Sequence, residues 1–276
     1  MHRQRLLTAF VASPVLFAVI WWGGPPVFWP VVVLSTGIAC LEFGRLAFPD
    51  APAARWAGVA AGLAPLTAAV VRPDPAVLAP ALAAVLVLSA LGFVATYARW
   101  QGRAFHAWAV FTLLATYLGF CAAHTCFLWE LPGGKRWIVL LLVGVFAGDA
   151  GAYYVGRSLG RHKLAPALSK GKTVEGAFGG LSANAAAAFL LWYLLFPGED
   201  PWMIILTMVA AGAAGQVGDL VASMAKRAAG AKDSGKLLPG HGGMLDRIDA
   251  VLFALPAFYW LLAWMQAAGA FRFAPG

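Results

Sequence analysis

Residues 136–157 read R-W-I-V-L-L-L-V-G-V-F-A-G-D-A-G-A-Y-Y-V-G-R. Between the two arginines only Asp149 is charged, and the run reaches the roughly 20 residues an α-helix needs to cross a bilayer. Comparable apolar runs recur along the chain, at about 6–22, 27–48, 55–72, 76–97, 104–128, 174–196, 201–225 and 243–265. The spacing therefore predicts an all-α, polytopic integral membrane protein with about nine transmembrane helices. Composition agrees: 61% of residues are hydrophobic, 12% are charged and the mean hydropathy is +0.76. Soluble domains run near half apolar and a quarter charged, so a soluble globular class is excluded.

The formal net charge of +8 would suggest a nucleic-acid partner in a soluble chain. In a membrane protein, cytoplasmic loops collect Lys and Arg and anionic headgroups attract them, so no nucleic acid is expected. With the N-terminus in the cytoplasm, only Arg72, Lys135, Arg136 and Arg272 of the 20 Lys and Arg fall on the far side. An even number of spans would scramble that pattern. The M-H-R-Q-R opening resembles a signal peptide, yet no small-x-small site stands before Trp21-Trp22, so it reads as a retained first span. Cys40, Cys121 and Cys126 lie in apolar runs without metal-ligand spacing and read as small core residues.

Two regions are expected. Residues 1–130 hold scaffold helices, with Gly58 and Gly62 forming a G-x-x-x-G that serves close packing or a homodimer contact. Residues 131–276 hold a catalytic region with cytoplasmic loops 158–173 and 226–242. The spans at 55–72 and 76–97 could alternatively form one re-entrant pair. Glu42 is an isolated carboxylate within the second span; pairing with Arg45 one turn on is the favoured reading, and reaching a site elsewhere is the other. No internal repeat is evident, which disfavours an inverted-repeat transporter.

Two polar clusters interrupt the apolar pattern. In the first, Asp149 lies at bilayer depth, where a charge costs about 2.5–3.5 kcal/mol on insertion scales, with Tyr153 one turn later on the same face. A polar cavity is the expected surrounding. Ser169-Lys170-Gly171-Lys172-Thr173 ends like a P-loop, but position 166 is Pro where the G-x-x-x-x-G-K-T spacing needs Gly. What remains is a basic loop before Glu175 and Gly176, where a helix begins and an anion could sit.

The second cluster, Gln216 to Asp249, crowds acidic, basic and Gly residues into one stretch. Asp219, Ser223 and Lys226 share one helix face, and Asp246 and Asp249 lie three apart on the next span. Gly212, Gly215 and Gly218 clear a helix face beside Asp219. Carboxylates suited to a divalent cation, next to ammonium and guanidinium groups suited to phosphates, point to phosphoryl or nucleotidyl chemistry.

The residues from Ser223 to Asp249, S-M-A-K-R-x4-K-D-x-G-x2-L-P-x-H-G-G-M-x-D-R-I-D, resemble the signature of the phosphatidate cytidylyltransferases (CDP-diacylglycerol synthases). The upstream D-A-G-A-Y-x2-G-x3-G and K-T-x-E-G segments are similar to the same family. Ala225 departs from its usual larger aliphatic, and Ser169-Lys170-Gly171-Lys172-Thr173 stands where the family has S-P-K-K-T. The resemblance covers Asp149 to Asp249 well and the first five spans only in general character.

It implies transfer of a cytidylyl group from CTP to phosphatidic acid, giving CDP-diacylglycerol and pyrophosphate, at the cytoplasmic face of a bacterial inner membrane. Under it, Asp219, Asp246 and Asp249 hold Mg²⁺, with Asp149 a further ligand and a second cation an open alternative. Lys226 and Arg247 join these aspartates as catalytic residues. Lys172, Thr173, Ser223, Arg227, Lys232, Asp233, His241, Gly242 and Gly243 are expected to bind CTP or the lipid phosphate. Rival readings are a polyprenol or phytol kinase and, from another class, an ion-coupled transporter using Asp149 and Asp219. The D-G-x2-A-R motif of CDP-alcohol phosphotransferases is missing.

Overall fold

The computed structural model describes residues 14–235 and 242–269. Readings that rest on Arg3, Arg5, Lys236, Pro239, Gly240, His241 or Arg272 lie outside the described residues. The first predicted span is described only as helix α1 over residues 14–22. Eight helical segments among the described residues are long and apolar enough to cross a membrane, and they coincide with the other eight predicted spans. The segments at 55–72 and 76–97 are separate helices. The protein is a helical, multi-pass membrane protein.

The chain divides into two compact units, residues 1–127 with 229–247, and residues 128–228 with 248–276. In the first, α2 (Gly24–Ala47) and α3 (Pro52–Val71) each start on proline at a first-turn position, where the missing N–H is no loss. The turn between them is tied by Arg55, whose Nε donates to the carbonyl of Phe48 at 2.8 Å. A 3₁₀ turn (Pro75–Val77) leads into α4 (Leu78–Ala95), then the short α5 (Tyr97–Trp100) and a second 3₁₀ turn (Gln101–Arg103). The next membrane-length segment, Ala104–Glu130, comprises α6 (Ala104–Leu113), a π-helical stretch (Leu114–Phe120) and α7 (Cys121–Glu130). Phe48, Phe93, Trp100 and Phe111 meet edge-on with centroids 5.1–5.9 Å apart, the geometry favoured by aromatic quadrupoles.

The G-x-x-x-G of α3 is used inside the molecule. A Cβ at Gly58 would lie 2.9 Å from a Leu114 methyl, and one at Gly62 would lie 2.5 Å from Cys40 Sγ. Gly119 in the π-helical stretch packs on the Gly62 carbonyl. Small residues thus let α3 approach both neighbours.

In the second unit, α8 (Gly134–Leu159) and α9 (Val174–Leu195) form the most extensive helix pair, and α10 (Pro201–Ala228) crosses both. Asn184 is buried on α9 and donates to the Gly144 carbonyl of α8 at 2.8 Å. Gly212 of α10 faces the same Asn184 side chain. Gly156 and Gly160, which also have G-x-x-x-G spacing, pack against Thr173, again within the unit.

Helix α11 (Leu245–Ala267) carries the unit boundary after its first three residues. Its later part packs on α10, where Gly218 lies against Phe253 and the Asp249 carbonyl.

One element is not foreseen by the all-α reading. The loop at 158–173 contains a two-stranded antiparallel hairpin, β1 (Lys163–Ala165) and β2 (Ser169–Thr173), with Lys163 opposite Thr173 and Ala165 opposite Ser169.

Candidate active site

Three local arrangements hold the hairpin at the foot of α8 and α9. The Thr173 hydroxyl accepts from Gly176 N at 3.1 Å and caps α9, satisfying one of the helix's unpaired donors. Glu175 accepts from the backbone of Arg161 and His162 and from His162 Nδ1 at 2.6 Å. Arg227, at the end of α10, donates through Nε to the Leu168 carbonyl at 3.3 Å. Thr173 and Arg227, expected to bind substrate, therefore each make a structural bond as well.

Between the hairpin and helices α8 to α10 lies a cavity of about 650 Å³. Asp149, Tyr153 and Arg157 line it from α8, Lys163, Lys172 and Thr173 from the hairpin, and Gln216 and Asp219 from α10. Tyr153 and Arg157 are themselves joined, the guanidinium donating to the phenol oxygen at 2.8 Å. The same-face reading of Asp149 and Tyr153 thus meets a polar cavity. Its volume lies within the 300–1,000 Å³ range of small-molecule and cofactor sites.

Lys172 Nζ stands 2.8 Å from Asp219 Oδ2. The contact is an ion pair in the wall of the cavity.

Lys226, about two helical turns after Asp219 on α10, and Asp249 are buried, at 8% and 7% exposure. Asp219, Lys226 and Asp149 all act electrostatically on Asp249. The second unit therefore gathers three of the predicted carboxylates with Lys172 and Lys226. Ser223 lies on α10 between Asp219 and Lys226, half-buried.

The other predicted residues belong to the first unit. Lys232 and Asp233 are exposed. Asp246 Oδ2 accepts from Ser234 N at 2.9 Å, Ser234 Oγ at 3.0 Å and Gly243 N at 3.0 Å. Gly242 adopts φ +79° beside that carboxylate, a conformation open to glycine at little cost. Arg247 is exposed on the first turn of α11, and Gly243 is buried.

Glu42 differs from its favoured reading. Its carboxylate does not take Arg45; it accepts from Ser234 Oγ and from the backbone N–H groups of Met244 and Leu245, each at 2.8–2.9 Å. A buried carboxylate needs hydrogen-bond donors where it is buried; Ser234 and the α11 amides reach Glu42 there, whereas Arg45 lies exposed. Ser234 carries no signal of its own in the sequence: it occupies an unspecified position of the signature, next to the charged Lys232 and Asp233.

Among the described residues, no three His, Cys, Asp or Glu side chains converge as a preformed metal site. The donor set nonetheless suits Mg²⁺, which keeps several waters and takes one or two carboxylates together with substrate phosphates. Asp149, Asp219 and Asp249 are hard oxygen donors of that kind, grouped with ammonium ions and no soft ligand.

A family model described as the cytidylyltransferase family matches residues 3–265. The phosphatidate cytidylyltransferase of Staphylococcus epidermidis is 42% identical over 129 residues, 47% of this chain and 50% of that protein. The Bacillus subtilis phosphatidate cytidylyltransferase is 41% identical over 154 residues, 55% of this chain and 57% of that protein. An uncharacterised Escherichia coli protein, YnbB, is 40% identical over 148 residues, 52% of this chain and 49% of its own. The chain spans about half the length of the curated relatives it matches.

Proposed function

We propose that this chain, which belongs to the cytidylyltransferase family, transfers the cytidylyl group of CTP to phosphatidic acid, forming CDP-diacylglycerol and releasing pyrophosphate. The observation that carries the reading is the cavity lined by Asp149 and by the ion pair of Asp219 with the Lys172 ammonium. Two anionic substrates must meet there, and fixed cations next to cation-binding carboxylates are what such an encounter requires.

In this account a non-bridging oxygen of the lipid phosphate attacks the α-phosphorus of CTP, and the bond to the β-phosphate breaks as pyrophosphate leaves. No general base is needed, because a phosphate monoester is already ionised near neutral pH. Lys172 leaves its ion pair with Asp219 to donate to a phosphate oxygen. Lys226 offsets the buried charge of Asp249 and Asp219. Asp149, Asp219 and Asp249 would hold Mg²⁺, which supplies neutralisation of triphosphate charge when bound.

Asp246 and Arg247 are assigned to the same reaction, and Ser223, Arg227, Lys232, Asp233, Gly242 and Gly243 to substrate contacts. Thr173 and Gly176 shape the cavity wall on which a phosphate can rest at the start of α9. Localisation to the bacterial inner membrane with a cytoplasmic site is supported by the charge distribution and by the bacterial relatives.

The test uses purified protein in mixed micelles with phosphatidic acid and Mg²⁺. Label from [α-³²P]CTP is expected in a chloroform-soluble product, and label from [γ-³²P]CTP in pyrophosphate. Lipid labelled from the γ-position instead would replace the proposal with a lipid kinase.

A further inference from the structure

Glu42 lies near the end of α2, 3% exposed, and every described contact of its carboxylate goes to one distant segment. Met244 N donates to Oε1 at 2.9 Å, Leu245 N to Oε2 at 2.9 Å and Ser234 Oγ to Oε2 at 2.8 Å. Met244 and Leu245 form the start of α11, whose first N–H groups have no partner within the helix. A carboxylate there satisfies two of them and stands at the favourable end of the helix dipole. It comes from a residue 203 positions earlier in the chain.

The segment is folded closely around this carboxylate. A Cβ at Gly235 would lie 2.6 Å from Oε1, and one at Gly243 would strike both Oε2 and Ser234 Oγ. Ser234 Oγ also lies 3.0 Å from Asp246 Oδ2. One hydroxyl has one proton, so Glu42 and Asp246 share a single donor between them. Asp246 is held from its other sides by the backbone N–H groups of Ser234 and Gly243.

We propose that Glu42 is a positioning residue for nucleotidyl transfer: through Ser234 and the Met244 and Leu245 amides it fixes the orientation in which Asp246 and Arg247 meet the substrates. The inference rests on the cytidylyl-transfer reading. A glutamine cannot replace it, because an amide nitrogen would face N–H donors where an acceptor is required. An apolar side chain would leave the Met244 and Leu245 amides unsatisfied.

The experiment compares wild type, Glu42→Gln, Ser234→Ala and the double variant, all full-length in mixed micelles. Activity is expressed per folded molecule, and hydrogen exchange is followed in the peptide spanning 242–248. Glu42→Gln is expected to lower kcat on the order of 10²-fold, the loss that follows a roughly 1 Å displacement of reacting groups. Its KM for CTP should change by less than about threefold, since binding contacts persist. Exchange at the start of α11 should accelerate at least about tenfold as local opening becomes easier.

Ser234→Ala leaves the carboxylate in place and tests the relay if Glu42→Gln does not fold; it should lower kcat by about tenfold, the worth of one strong hydrogen bond. The double variant should lose little beyond Glu42→Gln, because both act through one hydroxyl. Wild-type kcat per folded molecule in either single variant would overturn the inference, as would unchanged exchange in Glu42→Gln. A wild type that makes no CDP-lipid would instead defeat the functional reading, and the exchange comparison would still decide whether Glu42 fixes the start of α11.

Discussion

Replacing Lys172 by Met separates a catalytic role from a structural one by magnitude. The Lys172–Asp219 pair is 2.8 Å long, with side chains 23% and 38% exposed. Ion pairs this accessible to solvent contribute about 0–1 kcal/mol to stability, so the variant should shift Tm by less than about 4 °C. Its effect on transfer is expected to be much larger. Removing one preorganised donor from a site of developing negative charge costs about 2.7–4 kcal/mol, or roughly 10²–10³-fold. The assay is kcat/KM for CTP in mixed micelles saturated with phosphatidic acid, alongside a thermal melt of the same preparation. Lys172→Arg keeps the charge but replaces a point ammonium with a planar fork, and it should recover part of the loss. Lys172→Met with kcat/KM within about threefold of wild type would refute the phosphate role. An activity loss that only tracks loss of folded protein would refute it equally.

Three further outcomes are expected. Thr173→Val removes the cap of α9 and should cost about 1 kcal/mol, read as a lower Tm, whereas Thr173→Ser should stay near wild type. Gly148→Ala and Gly212→Ala each drive a methyl into the buried Asn184 side chain and should each destabilise by about 1–3 kcal/mol, measured by thermal denaturation in detergent. Lys170→Cys places a thiol on the exposed hairpin, while the native cysteines are buried. A membrane-impermeant maleimide should label it only in inverted vesicles, and labelling in right-side-out vesicles would contradict the assigned orientation.

The helical architecture was legible because length and apolarity alone decide what can span a bilayer. The eight membrane-length helices follow the sequence runs closely. The hairpin was not legible: β1 and β2 are three and five residues long, rich in Lys and Gly, and carry no alternating apolar pattern. Their pairing is imposed by Thr173, Glu175 and Arg227, which anchor the segment from both sides.

The cavity shows the same division. Helical spacing foretold that Asp149 and Tyr153 share a face, but not that Lys172 would reach Asp219 from a strand. Glu42 was the hardest case, because a carboxylate and its donors 192 to 203 residues away leave no local pattern. The G-x-x-x-G pairs were visible as motifs, yet only the packing of Gly62 on Cys40 and Gly119, and of Gly156 and Gly160 on Thr173, shows what they approach.

The central claim is that a lipid phosphate oxygen attacks the α-phosphorus of CTP. It is tested most directly with phosphatidic acid whose phosphate oxygens carry ¹⁸O, incubated with CTP, Mg²⁺ and the purified protein, and followed by mass spectrometry. The account predicts a CDP-lipid that retains all the heavy oxygen of its precursor, with pyrophosphate free of it. Heavy oxygen in pyrophosphate, or a phosphorylated lipid with no cytidine, would contradict it.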